Sequence, residues 1–459
     1  MSAIITLSLL AILLLYIGLY KAKNALLPVS VLGLGATLAF LINDWFKDAT
    51  PLYNGMVLFD HFSIAFSVVC VLITLLVLLL SKDYFDQISA NVAEYYALIL
   101  FSLTGAILVT SFHNLAMLFI GVEIMSVALY ILAGIRKKDF ASNEAALKYF
   151  LMGAFSTGFL LFGITLVYGA SGSFDLTQIG QYASSTPDEI SPLFYGGILL
   201  LLVGLAFKVG AAPFHFWTPD VYDGSPILIT TFMSTVVKTA AFAGFLRLFQ
   251  YSFDQVQDFW GPVLMIIAII TLFVGNITAL VQHSFKRMLA YSSISHAGYM
   301  LFAIVALGSV SAGGVLVYAG AYSLASVVAF AGLILVKRAT GADDFQSFNG
   351  LAKNNPGLAF GLTIAMLSLA GIPLTAGFVG KFMMFERALS EYHVIMVILA
   401  VLNAAVGIYY YFKVIVAMYF KTESREAIVV PVPYQVVLII SVLLTLILGI
   451  YPALITDLI

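Results

Sequence analysis

The chain has 459 residues, of which 21 are Lys or Arg and 23 are Asp or Glu, for a formal net charge of −2. Only 10% of residues are charged and 62% are hydrophobic, against roughly a quarter charged in a soluble protein. This excludes a soluble enzyme, a disordered chain and a nucleic-acid binder, which needs basic surface; what remains is an all-α polytopic membrane protein whose first partner is the lipid bilayer. The lone cysteine, Cys70, excludes an internal disulfide framework or a Cys-based metal site.

A bilayer-crossing helix needs about 20 mostly apolar residues, and windows of that length predict about fourteen spans. The first three cover 3–20, 25–43 and 58–81. The first lacks a basic stretch before its apolar run and is followed by Lys21 and Lys23, the pattern of a retained helix starting outside rather than of a cleaved signal peptide. Spans 4 and 5 cover 95–111 and 114–135, and the second places Glu123 midway along LAMLFIGVEIMSVALYILAG. Span 6, 145–169, holds Lys148 near its cytoplasmic boundary, one turn from Glu144. In span 7, 193–214, Lys208 follows two or more apolar turns and precedes Gly210 and Pro213. His215 lies two turns beyond Lys208 on much the same helix face, close to the cytoplasm. That place suits proton uptake, although an interfacial aromatic cluster with Phe214, Phe216 and Trp217 explains it nearly as well.

Span 8, 226–246, carries Lys238 at its middle. After 260–281, span 10 at 288–307 places His296 among Ser293, Ser295 and Tyr299; such a histidine is either a packed, hydrogen-bonded residue or part of a wet path. Span 11 is 313–336. Span 12, 357–382, is longer than one crossing requires, and Pro373 with Gly371, Gly377 and Gly380 predicts a break just before Lys381. A proline removes a backbone hydrogen bond, so nearby carbonyls need another partner such as water or a side chain. Span 13, 393–420, has Lys413 about two turns from its cytoplasmic end, and span 14 is 432–456.

Loop charges orient the spans. With the N-terminus outside, the odd loops carry thirteen basic residues: Lys21, Lys23, Lys82, Arg136, Lys137, Lys138, Lys286, Arg287, Lys337, Arg338, Lys353, Lys421 and Arg425. The even loops carry three, Lys47, Arg247 and Arg387. The bias predicts odd loops in the cytoplasm and both termini outside. Of the five basic residues left within spans, Lys148 and Lys413 lie near enough to a boundary to snorkel. Glu123, Lys208 and Lys238 do not, and each costs roughly 2.5–3.5 kcal/mol at a helix centre. Such residues face protein or water and mark ion or proton pathways. One structural ion pair accounts for Glu123 and one lysine but not for the second lysine.

Gly/Pro-interrupted segments carrying Lys208 and Lys381 stand five spans apart. Matching interrupted segments in two halves are a transporter signature, and an odd offset inverts the second copy. The expectation is two inverted five-helix repeats, helices 4–8 and 9–13, with helices 7 and 12 broken. The corresponding divisions are residues 1–94, 95–250, 251–421 and 422–459. Lysines poised between charged and neutral suit proton carriage, whereas a sodium path would call for several carboxylates or carbonyls. The six histidines are scattered, so no metal-ligand spacing is present. No residue set suits NADH, flavin or an iron–sulfur cluster.

FKVGAAPFHFWTPDVYDGSP (207–226), HSFKRMLAYSSISHAGYM (283–300) and GIPLTAGFVGKF (371–382) resemble the antiporter-like proton-channel family. That family includes large membrane subunits of respiratory complex I, the NADH–quinone oxidoreductase, and subunits of multisubunit cation/proton antiporters. The resemblance covers essentially the whole chain. It implies proton-transfer roles for Glu123 and Lys208 as a helix 5–helix 7 pair, Lys238 as the helix 8 link, His296 in the helix 10 motif, Lys381 as the terminal helix 12 residue and Lys148 on helix 6. It also implies a bacterial cytoplasmic (inner) membrane, neighbouring antiporter-like and small membrane subunits as partners, and NADH, FMN, iron–sulfur clusters and quinone held in partner subunits rather than in this chain. The alternative is a cation/proton antiporter subunit without a redox partner. Two positions depart from the family pattern: Leu228 and Leu374 stand where proline is common.

Overall fold

The computed structural model describes residues 1–88, 92–186, 189–306, 311–390, 394–423 and 426–456. In chain order the long helices are α1 (Ser2–Leu19), α2 (Lys23–Trp45), α3 (His61–Leu79), α4 (Ala93–Ser111), α5 (Leu115–Ala133) and α6 (Phe140–Ser171). The seventh is split into α7a (Pro192–Val209) and α7b (Trp217–Gly224). Then come α8 (Ile227–Ser252), α9 (Gln257–Leu280), α10 (Phe285–Val305) and α11 (Ser311–Thr340). The twelfth is split into α12a (Pro356–Ala370) and α12b (Ala376–Ser390), before α13 (Val394–Phe420) and α14 (Val432–Ile450). Thirteen helices are long and apolar enough to cross a membrane among the described residues, and the split twelfth supplies the fourteenth predicted span.

Helix ends follow local chemistry. Asp60, Asn114, Asp139 and Ser284 accept hydrogen bonds from first-turn amides of α3, α5, α6 and α10, satisfying donors with no intrahelical partner. Both breaks use the same device. Gly210 closes α7a at φ 74 and Gly371 closes α12a at φ 82, a left-handed cap that glycine adopts without a Cβ penalty. The break at α12 therefore falls where Gly371 and Pro373 predict it. Leu374, at the family's proline position, takes φ 71, which a proline ring, locked near −65°, cannot adopt.

The neighbour relations of the first five-helix set recur in the second. α4 packs on α5 as α9 packs on α10, and α5 on α6 as α10 on α11. α6 packs on both pieces of α7 as α11 packs on both pieces of α12, and α4 meets α8 as α9 meets α13. α8 and α11 are buried along their whole apolar windows and α10 nearly so; these three form the core. α1, α2, α6, α13 and α14 keep most of their apolar surface outward, as lipid-facing helices do.

Several boundaries differ from the sequence expectation. α8 runs on to Ser252, so Arg247 is a fully buried helical residue rather than a loop charge. α6 begins at Phe140, ahead of position 145, because Asp139 caps it and Ser142 Oγ donates to Ala133 O at 2.6 Å. α10 begins at Phe285, so Lys286 is a buried helical residue rather than a loop charge. His215 does not share a helix face with Lys208, because α7a stops at Val209 and His215 sits in the turn that follows. Arg425, residue 307 and the side chain of Arg387 lie outside the described residues.

The α12 break is tightly packed. Gly377 N donates to Ser368 Oγ at 3.2 Å, and a Cβ at 377 would lie 1.9 Å from the Ser368 carbonyl oxygen. Backbone must move to admit it, at a cost of about 1–3 kcal/mol. Gly377→Ala should lower the thermal midpoint of the isolated protein by several degrees; an unchanged midpoint contradicts this packing.

Candidate functional site

Lys208 occupies the last turn of α7a, where the helix dipole favours a cation. It is buried, its Nζ donates to Ser126 Oγ at 2.5 Å, and it stands 5.8 Å from the Tyr149 ring centroid. Ser126 in turn donates to the Val122 carbonyl. The expected direct Glu123–Lys208 pair is absent: among the described residues no carboxylate oxygen of Glu123 lies within 4.0 Å of the ammonium. Ser126, three residues and about 4.5 Å along the α5 axis, takes the contact instead. One Glu123 oxygen, Oε1, is buried without a hydrogen-bond partner. Glu123 lies on the same face of α5 as Ser126, the residue that bonds Lys208.

Lys238 opens the second segment of α8, directly after a π-helical turn at Met233–Val237. Such turns disturb the regular ladder and recur at functional sites. Here Thr235 Oγ1 donates to the Thr231 carbonyl at 2.6 Å and Ser234 Oγ donates to the same oxygen at 3.0 Å. Lys238 Nζ donates to the Ser293 carbonyl at 2.6 Å and to Ser293 Oγ at 2.5 Å, and lies 5.9 Å from the Tyr322 ring centroid. Both acceptors are uncharged.

His296 is one turn beyond Ser293 on α10. Its Nδ1 shares a hydrogen bond with the Tyr318 hydroxyl at 2.5 Å and its Nε2 one with Tyr411 at 3.0 Å. The ring lies 4.8 Å from Tyr322, which places His296 and Lys238 against the same tyrosine. Tyr411 also shares a 2.5 Å hydrogen bond with Ser292. Lys381, on α12b, reaches back across the break. Its Nζ donates to the carbonyls of Leu369 at 3.0 Å and Ala370 at 3.1 Å, which the end of α12a leaves without helical partners. The same ammonium stands 4.8 Å from the Tyr299 ring, and Tyr299 flanks His296 at 6.1 Å.

Lys238, His296 and Lys381 are thus linked through shared tyrosines and serines contributed by α10, α11 and α13. Lys208, on α7a, is buried like them but is bonded to α5, and among the described contacts it shares no partner with Lys238. Tyr318, Tyr322, Tyr411, Tyr149 and Ser126 were missed from the sequence. The one signal was Tyr318 and Tyr322, four apart in a run of small residues, hence on one face of α11.

Two predicted residues lie away from this row. Lys148 is half-exposed, with Nζ 2.8 Å from Glu144 and 2.7 Å from Asp220. Burial alone would raise the Asp220 carboxyl, but Lys148 and Arg287 outweigh it and hold the group below its ordinary range. His215 is buried with Nδ1 unpartnered and its ring 4.5 Å from Phe216; burial lowers its pKa. Trp217 packs on Tyr149 at 4.8 Å and donates to Phe207 O at 3.0 Å, bracing the break, whereas of the expected aromatic cluster His215 makes a described ring contact with Phe216 alone. Among the described residues no three His, Cys, Asp or Glu side chains converge on a metal-sized site.

A bundle with two glycine-capped broken helices and a lysine–histidine row in its buried core has the architecture of an ion-translocating membrane subunit. A sequence profile described as "NADH:quinone oxidoreductase/Mrp antiporter, TM" matches residues 112–407, and the chain belongs to that family. NADH-quinone oxidoreductase subunit N of Flavobacterium psychrophilum is 39% identical over 98% of both chains. A chain of respiratory complex I from Thermus thermophilus superposes with a TM-score of 0.85 at 33% identity, covering 99% of this chain and 98% of that one. A chain of the Mrp complex from Dietzia shares the fold, with a TM-score of 0.89 at 19% identity over 100% of this chain and 95% of that one.

Proposed function

We propose that the chain is a proton-translocating membrane-arm subunit of a bacterial NADH–quinone oxidoreductase, in the place that subunit N takes. The observation that carries this reading is the row Lys208, Lys238, His296 and Lys381. Each is buried, and each is bonded to hydroxyls or carbonyls rather than locked to a carboxylate. An ammonium held by neutral acceptors loses no ion pair when it releases its proton, and an adjacent tyrosine hydroxyl both donates and accepts. Protons would enter from the cytoplasmic side near α7b and α8 and pass along this row. Glu123, beside Lys208 but not bonded to it, would bias Lys208 by its charge, while Lys148 and His215 belong to the cytoplasmic approach. No redox step falls to this chain: NADH, FMN, iron–sulfur clusters and quinone belong to partner subunits, whose charge movements drive the row.

In this reading residues 95–250 and 251–421 are the two inverted repeats, 1–94 the N-terminal helices and 422–459 the C-terminal helix. The protein is multi-pass in the inner membrane with both termini outside, as the loop charges favour. Its partners are a neighbouring antiporter-like subunit and small membrane subunits. Blue-native separation of solubilised membranes tests the assignment. The chain should co-migrate with NADH dehydrogenase activity; migration apart from that activity, in a complex exchanging cations for protons, overturns it.

A further inference from the structure

Lys286 is the one buried lysine the row does not use. Although it is the second residue of α10, it is only 3% exposed. Its Nζ donates to the carbonyls of Asp223, at 2.5 Å, and Ser225, at 2.6 Å, in the turn joining α7b to α8. A cation at a helix N-terminus faces the positive end of the dipole, so helix stability does not account for it. Lys286 sits at the wall of a cavity of about 440 Å³ on the cytoplasmic side. Five carboxylates and five cations line that cavity, with Asp220, Asp223 and Asp343 interleaved among Arg287 and Lys337. Arg287 contacts Asp220 at 3.3 Å and Asp223 at 3.5 Å, and Lys337 contacts Asp343 at 2.6 Å. Most of the lining charge is therefore paired, while Lys286 has carbonyl partners alone.

Seven residues further along α10, on the same face and about 10 Å away, Ser293 holds Lys238. Between them α7b packs against α10, which brings the buried Tyr222 of α7b close to Ser293. Ser225 Oγ is buried beside Lys286 without a hydrogen-bond partner. We infer that Lys286 is the proton-accepting residue at the inner mouth, taking protons from the charged cavity and passing them by way of Tyr222 and Ser293 to Lys238. This rests on the proposed function and names the residue at which uptake begins, a place that His215 suited in the sequence.

The competing role is a staple that ties α10 to the α7b–α8 turn through two carbonyls. Lys286→Arg keeps the charge and both bonds but cannot release a proton at physiological pH. Lys286→His, with an ordinary pKa near 6.5, carries a proton only at lower pH. Each variant of the intact complex would be reconstituted in vesicles and NADH-driven proton pumping measured per assembled complex. The relay predicts normal assembly, a loss of roughly tenfold in Lys286→Arg, and pumping by Lys286→His that is retained at pH 6 and lost at pH 8.5. Pumping within twofold of wild type in Lys286→Arg, a pH profile of Lys286→His parallel to wild type, or failure of both to assemble makes Lys286 a staple and overturns the relay. Lys238→Ala measured alongside separates the two readings. If it pumps normally, the central row fails whatever Lys286 does; if it is inactive while Lys286→Arg is normal, only the inner-mouth assignment fails.

Discussion

Replacing Lys238 with alanine should lower NADH-driven proton pumping by roughly 100-fold while leaving the complex assembled. Its ammonium is the only link by which α8 touches Ser293 in the hydrogen bonds described, and Ser293 lies one turn from His296. Alanine removes the ammonium that would carry the proton and leaves Ser293 without a bond from α8 among those described. The fold should tolerate the change, because Lys238 has no carboxylate partner in the described ion pairs and its removal strands no opposite charge. The Ser293 carbonyl keeps its place in the α10 ladder. Lys238→Arg, which retains a charge of the same sign without releasing a proton, should be nearly as defective. Pumping and assembly measured on the same vesicle preparation check both variants, and normal pumping by Lys238→Ala would remove the residue from the path.

The largest effect on stability is expected at the opposite end of the same helix. Arg247 is fully buried. Its Nε donates to Phe112 O at 2.7 Å, and its Nη1 donates to Asp60 Oδ1 at 3.0 Å and Thr110 O at 3.4 Å. Tyr251 OH adds a bond to Asp60 Oδ2 at 3.2 Å. One side chain thereby fastens α8 to the start of α3 and the end of α4. Arg247→Ala strands Asp60 and two carbonyls, a loss of about 3–5 kcal/mol for breaking a buried pair. A marked fall in thermal midpoint and in assembled complex should follow, and an unaltered midpoint would rule the tie out.

The pH dependence of this tie has a definite sign. Burial pushes the Asp60 carboxyl up, but the Arg247 guanidinium and the Ser63 bonds bring it below its ordinary 3.8. A depressed carboxylate contributes stability above the unfolded pKa and loses it as pH falls through the folded value. Wild-type protein should therefore lose this contribution only in acid below about pH 4.

Much of the molecule was legible from local composition. Span number, the positions of Glu123, Lys208, Lys238 and Lys381, and the break at Gly371–Pro373 each depend on residues a few positions apart. Hydropathy is a sum over a window, and a glycine cap is a property of one backbone position. Lys286 misled for the same reason. Beside Arg287 and His283 it reads as loop charge, and nothing local shows that the α7b–α8 turn, some sixty residues earlier, folds over it. His215 misled because a helical face was extended past Gly210, the residue that ends the helix.

The site's partners belong to another level. Ser126 for Lys208, Ser293 for Lys238, and Tyr318 and Tyr411 for His296 come from other helices, 22 to 115 residues away. In a soluble helix an apolar stripe announces which side faces the core. α8, α10 and α11 are apolar nearly all round, so their sequences leave rotation about the helix axis unspecified, and packing and interhelical hydrogen bonds set it instead. The sparse charge of a 459-residue chain was enough to define a membrane bundle and single out its few deep ionisable residues. Only the tertiary structure decided that Ser126 rather than Glu123 bonds Lys208, that tyrosines connect Lys238, His296 and Lys381, and that Lys286 is buried. Those contacts depend on the rotation and depth of helices from both halves of the chain.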